Sequence, residues 1–125
     1  MAARILIADD HELVRSAVSQ LVSHGPANLP TFVANGQAAI EKAAELKPDL
    51  LILDFQMPRR DGLSAGRDIR AFLPNVPVVL YTAFPCEYVE CEAKRHGFHG
   101  VVQKSNGSAL VAAIRSALTA EPEAA

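Results

Sequence analysis

The 125-residue chain has no tryptophan, five phenylalanines and two tyrosines. Half of its residues are hydrophobic, so the core has to be packed from aliphatic side chains. Cys86 and Cys91 are the only cysteines. Their spacing fits neither a redox Cys-x-x-Cys pair nor a zinc knuckle, which points to reduced thiols and a cytoplasmic setting. No apolar run approaches the roughly 20 residues of a membrane span, and no charged-then-apolar leader opens the sequence. Twelve basic residues face fourteen acidic ones, a formal net charge of -2. That balance lacks the basic footprint of a nucleic-acid binder. Internal repeats and low-complexity tracts are also missing. The length suits one domain with one core, expected over residues 1–119, with 120–125 starting a linker or tail.

What the chain does have is a set of short apolar runs that end in polar residues. The clearest is Asp49-Leu50-Leu51-Ile52-Leu53-Asp54-Phe55-Gln56-Met57-Pro58. Its apolar middle is bounded by Lys47-Pro48 and Met57-Pro58, and reads as a strand buried on both faces. Such strands belong to parallel sheets covered by helices. Asp54 then leaves the sheet at its carboxyl edge, where open α/β sheets bind ligands. By itself Asp54 reads first as an ordinary end-of-strand turn residue or helix cap.

Four further strands are predicted. Arg4-Ile5-Leu6-Ile7-Ala8 stops in Asp9-Asp10. Leu29-Pro30-Thr31-Phe32-Val33 carries a proline that favours an edge position. Val76 to Tyr81 ends in Thr82, and Gly100-Val101-Val102-Gln103 ends in Lys104. Helical spacing falls between them: Val14, Ala17, Val18, Leu21 and Val22, closed by His24-Gly25-Pro26; Ala38 to Leu46, capped by Asn35-Gly36; Leu63 to Leu73, after a loop over Pro58 to Gly62 expected to be exposed; a helix from Pro85, acidic early and basic late, capped by Gly97; and a last helix capped by Ser105 or Asn106, with Leu110, Val111, Ile114 and Leu118 inward. Strict alternation of strand and helix predicts a five-stranded parallel sheet with helices on both faces. Right-handed crossovers bring every strand's carboxyl end to one edge. Four of the five ends present Asp9-Asp10, Asp54, Thr82 and Lys104 there.

In the flavodoxin-like strand order 2-1-3-4-5 the first and third strands are neighbours, roughly 4.8 Å apart. Asp9, Asp10 and Asp54 would then crowd together. Such a cluster shares a proton, takes a lysine cap, or holds a hard cation such as Mg2+. A carboxylate beside Mg2+ can attack phosphorus. Lys104 and the Thr82 hydroxyl would supply charge and a donor to the transferred group.

Taken together, Ile7-Ala8-Asp9-Asp10-His11, Leu53 to Pro58, Asp61-Gly62, Tyr81-Thr82-Ala83 and Gln103-Lys104 resemble the receiver domain of two-component response regulators, in order and across the whole chain. Asp9-Asp10-His11-Glu12-Leu13-Val14-Arg15 and Ser105 resemble the LuxR (NarL/FixJ)-type branch, which carries a C-terminal helix-turn-helix. The resemblance implies that Asp54 accepts phosphate from a sensor histidine kinase. It implies Mg2+ on Asp10, Asp54 and the Gln56 carbonyl, with Asp9 assisting. Lys104 would pair with the phosphoryl group and Thr82 would swing toward it. The reporting surface, also a candidate homodimer face, would run over Pro85 to His96, Gly100 to Gln103 and Asn106 to Leu118. Val101 stands where the family often has a switching aromatic, and Gln56 and Phe84 stand where it tunes phosphoryl lifetime. The implied role is a signalling switch rather than an enzyme, in a fragment of a longer transcription regulator or in a stand-alone or phosphorylation-independent interaction module.

Two other classes remain to be weighed. An Asp-nucleophile phosphatase of the haloacid dehalogenase kind would want Asp-x-Asp on the first strand and a cap. A flavodoxin-like cofactor binder would want a phosphate-cradling loop there, where this chain has acids. His96 reads as complementing a helix dipole, His99 as surface, and Arg59-Arg60 as a solvated loop.

Overall fold

The structure is a computed structural model, and it describes residues 3–11, 28–83, 86–104 and 106–119. The predicted helix over Val14 to Val22, its terminator, Phe84, Pro85, Ser105 and the 120–125 tail lie outside the described residues. Five strands, β1 (Ala3–Ala8), β2 (Asn28–Val33), β3 (Leu50–Asp54), β4 (Val78–Thr82) and β5 (Gly100–Gln103), form one parallel sheet in the order β2-β1-β3-β4-β5. Helices α1 (Gly36–Leu46), α2 (Gly62–Phe72), α3 (Glu87–Arg95) and α4 (Gly107–Thr119) connect or follow them. None of the described helices is long and apolar enough to cross a membrane.

Period-two alternation divides the core into two layers. Leu6, Ala8, Leu51, Leu53, Val78 and Leu80 point to one face, under Ala39 and Ala43 of α1, Leu63, Ala65 and Ile69 of α2, and Val89 and Ala93 of α3. Ile5, Ile7, Leu50, Ile52, Val79, Tyr81 and Val102 point to the other, under Leu110, Ile114 and Ala117 of α4. All five residues of β3 are buried. Proline-bearing β2 lies at an edge, with Pro30 opposite Ile5, as its sequence predicts.

Some expectations shift in detail. β4 begins at Val78 rather than Val76, because Pro77 has no N–H to give a ladder, and it includes Thr82. Ala44 and Phe72 are exposed, and Ala117 replaces Val111 on the buried face of α4. The predicted caps form. Asn35 Oδ1 accepts from the Ala38 N–H at 2.8 Å, and Asn106 Oδ1 from the Ala109 N–H at 3.0 Å. Gly97 at φ +75° follows α3, with Gly97 N–H to Lys94 O and Phe98 N–H to Ala93 O at 3.0 and 2.9 Å, the paired bonds of a Schellman end.

Asn35 fixes the start of α1 through one side-chain bond. Asn35→Ala should cost about 1 kcal/mol and lower the thermal midpoint by about 4 °C. Asn35→Asp, which accepts the same bond, should stay close to the parent. Melting followed by circular dichroism checks both.

Candidate functional site: an acidic pocket at the carboxyl edge of the sheet

Register brings the site together. Ala8 pairs with Leu53 and Asp54 pairs with Tyr81, so Asp9 and Asp54 leave adjacent strands side by side. Asp9 and Asp54 are buried, whereas Asp10 and His11 are exposed at the mouth. Ligand atoms of Asp9, Asp10, His11 and Asp54 lie within 4.8 Å of one another. Two local turns hold the carboxylates. The His11 N–H donates to Asp9 Oδ1 at 2.8 Å, and the Gln56 N–H to Asp54 Oδ1 at 3.2 Å.

Lys104 reaches in from the end of β5. Its Nζ donates to Asp54 Oδ2 at 2.9 Å and lies 3.2 Å from Asp9 Oδ2. The ammonium also sits 5.2 Å from the centre of the Tyr81 ring. Thr82, the buried last residue of β4, accepts the Lys104 N–H on its carbonyl at 2.8 Å. Every predicted site residue, Asp9, Asp10, Asp54, Gln56, Thr82 and Lys104, is therefore on one rim. His96 and His99 are elsewhere: His96 lies 4.0 Å from Glu92 at the end of α3, and His99 bonds Ser116 at 3.1 Å.

Burial sets the electrostatics. Loss of water pushes the Asp54 carboxyl above its ordinary range. The Lys104 hydrogen bond opposes that rise and the Asp9 charge adds to it. For Lys104, burial pulls downward, but the hydrogen bond and charge of Asp54, together with Asp9, outweigh it and leave the ammonium held above its usual value. Burial, then the Asp9 and Asp54 charges, raise the Tyr81 phenol and keep it neutral. Three carboxylates outnumber the one ammonium among them. This hard-oxygen set, open at Asp10 and His11, fits a divalent cation such as Mg2+.

The loop from Phe55 to Asp61 walls the mouth; Pro58, Arg59 and Asp61 are exposed, as the sequence predicts for Pro58 to Gly62, whereas Arg60 is half-buried and Gly62 buried. The Gly62 N–H donates to Phe55 O at 2.9 Å, and Gly62 is buried as the first residue of α2. A Cβ at Gly62 would collide with the Asp54 carbonyl. Asp61 caps α2 through Ser64 N–H at 2.7 Å. Arg60 is pinned, with Nε and Nη2 on Ser64 Oγ at 3.2 and 2.9 Å and an ion pair to Asp68. Sequence reading missed His11 and Tyr81 as parts of the pocket. The sign of His11 was its place directly after two strand-end acids. Tyr81 gave none beyond facing the same way as Val79.

A five-stranded parallel sheet in the order 2-1-3-4-5, with paired acids, a threonine and a lysine at its carboxyl edge, is a flavodoxin-like α/β domain. Residues 5–115 match the response regulator receiver domain family, and the chain belongs to that family. It is 39% identical over 85 residues to the response regulator protein VraR of Staphylococcus saprophyticus, covering 67% of this chain and 41% of that one. It is 39% identical over 80 residues to a protein-glutamate methylesterase/protein-glutamine glutaminase of Nocardioides sp., covering 63% of this chain and 22% of that one. The chain thus spans less than half the length of either relative. A LuxR-family two-component response regulator from Aurantimonas sp. SI85-9A1 superposes with a TM-score of 0.88 at 28% identity, covering 94% of this chain and 86% of that one. Receiver domains of response regulators are signalling switches that interact with histidine kinases.

The raised Asp54 carboxyl has a stability consequence. A folded-state value above the unfolded one, about 3.9, means the neutral form is favoured in the fold, and stability is lost as pH rises through the folded value. With chelator present, Asp54→Asn should melt higher than the parent at pH 7. The difference should vanish below about pH 4, where both side chains are neutral. Thermal melts across that range decide it, and a gap independent of pH would contradict the assignment.

Proposed function

We propose that this receiver domain takes a phosphoryl group onto Asp54 from the phosphohistidine of a sensor kinase. A carboxylate oxygen of Asp54 attacks phosphorus while the P–N bond breaks and its electron pair stays on the histidine ring. The observation that carries this reading is the Lys104 ammonium on Asp54 Oδ2, beside two further carboxylates at an open mouth. Asp9, Asp10, Asp54 and the main-chain carbonyl of Gln56 would hold Mg2+, which supplies positive charge against the phosphoryl oxygens. Lys104 neutralises charge on the transferring group. The Thr82 hydroxyl turns to donate to it and carries its presence outward.

The output face is then α3, β5 and α4. Tyr88 stands 65% exposed on α3, a side chain for a partner or a second copy of this chain to cover. Val101 packs against the α1–α3 side of the core and has no ring to swing, so the relay runs through Thr82 and the backbone it shares with Lys104. The likeness to VraR and to the Aurantimonas LuxR-family protein favours the LuxR-type branch: a cytoplasmic transcription regulator whose receiver occupies 1–119, joined through 120–125 to a DNA-binding domain.

The deciding experiment is intact mass after incubation with acetyl phosphate. The parent should gain one phosphoryl group with Mg2+ and none with chelator. Asp54→Asn should gain none in either. Lys104→Met should gain it at least 100-fold more slowly, on the scale of losing one transition-state charge donor. Steady turnover of a small phosphate ester would instead favour the phosphatase reading. An unmodified parent would make the domain a phosphorylation-independent interaction module.

A further inference from the structure

Strand order gives Lys104 a route to follow. It starts beyond β5, and Asp54 ends β3, so the side chain must cross the end of β4. The β4 residue paired with Asp54 on one side and with Val102 on the other is Tyr81. Tyr81 is 4% exposed, and its ring face lies 5.2 Å from Nζ. This is inside the range, about 6 Å, in which an aromatic quadrupole attracts an ammonium, and the attraction is strongest where water is excluded. An ammonium has three donors. Asp54 Oδ2 and Asp9 Oδ2 lie 2.9 and 3.2 Å from Nζ, and the Tyr81 ring face is a third neighbour.

We propose that Tyr81 is a positioning residue for phosphoryl transfer, its ring face holding the Lys104 ammonium at Asp54 throughout the reaction cycle. The inference rests on the receiver chemistry proposed above. Its logic is a difference in permanence. Both carboxylates change their demands on the lysine during the cycle, because phosphorylation replaces the Asp54 carboxylate with an acyl phosphate whose charge lies on the phosphoryl oxygens, and Asp9 also serves the cation. The ring's quadrupole stays the same. It keeps the ammonium pointed at the place where phosphoryl charge arrives, so the lysine need not be re-ordered from water at each turn. A leucine at 81 would keep the site apolar without attracting the charge. The phenol stays neutral there, so the ring carries the attraction.

The test reads the affinity for beryllofluoride, a phosphoryl mimic, at saturating Mg2+ by fluorine NMR, with the melting temperature of each variant recorded. The variants are Tyr81→Phe, Tyr81→Leu and phenylalanines with one, two and three ring fluorines placed at 81. Fluorination keeps the shape and drains the ring face of negative potential. Tyr81→Phe should bind within about twofold of the parent. Tyr81→Leu should bind roughly tenfold more weakly, the scale of a desolvated cation–π contact. The fluorinated series should weaken stepwise while its melting temperatures stay together. An affinity that ignores fluorine count, or a loss that tracks melting temperature, would overturn the positioning role. If Tyr81→Leu fails to fold, the fluorinated series still decides. A parent that binds no beryllofluoride would overturn the receiver reading, and the positioning role with it.

Discussion

One ammonium among buried carboxylates governs this molecule. Lys104 pairs with Asp54 and Asp9 in a place largely closed to water. An unpaired buried carboxylate costs several kcal/mol, so the acids can sit there only if a cation does too. That requirement dictates the surroundings. β5 must end where its next residue can turn back across β4, and the bond between the Lys104 N–H and the Thr82 carbonyl fixes that turn. β1 and β3 must be neighbours so that one lysine serves both acids. Three carboxylates around one ammonium leave negative charge, a set that could bind a metal ion, and burial together with the Asp9 charge holds the Asp54 carboxyl above its usual range against the Lys104 hydrogen bond.

The wall of the pocket answers to the same constraint. Gly62 lets α2 begin against the Asp54 carbonyl, where a side chain would not fit. Asp61 and Arg60 spend their polar groups on α2 itself, on the Ser64 N–H and on Ser64 Oγ and Asp68. The loop is therefore braced from the helix side. Its open side is lined by Asp10, His11, Gln56 and Met57. Two charged side chains that look like free surface in the sequence, Arg60 and Asp61, are tied to α2.

Much of this was legible in the sequence, because the signals are local. An apolar run ending in an acid names a strand and its exit, as at Asp9 and Asp54. Strict alternation with helical stripes names the parallel sheet, and the proline at 30 names the edge. Asn35, Asn106 and Gly97 cap helices with bonds that reach only a few residues. What the sequence concealed depends on distant partners. Arg60 reads as solvated until Asp68 and Ser64, a turn or two along α2, come round to it. Tyr81 reads as one more apolar strand residue until β5 delivers Lys104 above it. Ala117 in place of Val111 reflects where α4 meets the sheet, a rotation that periodicity does not fix.

The two faces of β4 have a consequence for how such a chain can change over generations. Tyr81 belongs to the α4 layer, while Val78 and Leu80 belong to the opposite layer. Deleting one residue within the strand would move every later side chain to the opposite layer and carry the tyrosine out from under the lysine. Insertions and deletions inside β4 are thus ruled out where substitutions are not. The span from Val78 to Thr82 behaves as a reading frame with a period of two, in which substitutions can accumulate and frameshifts cannot.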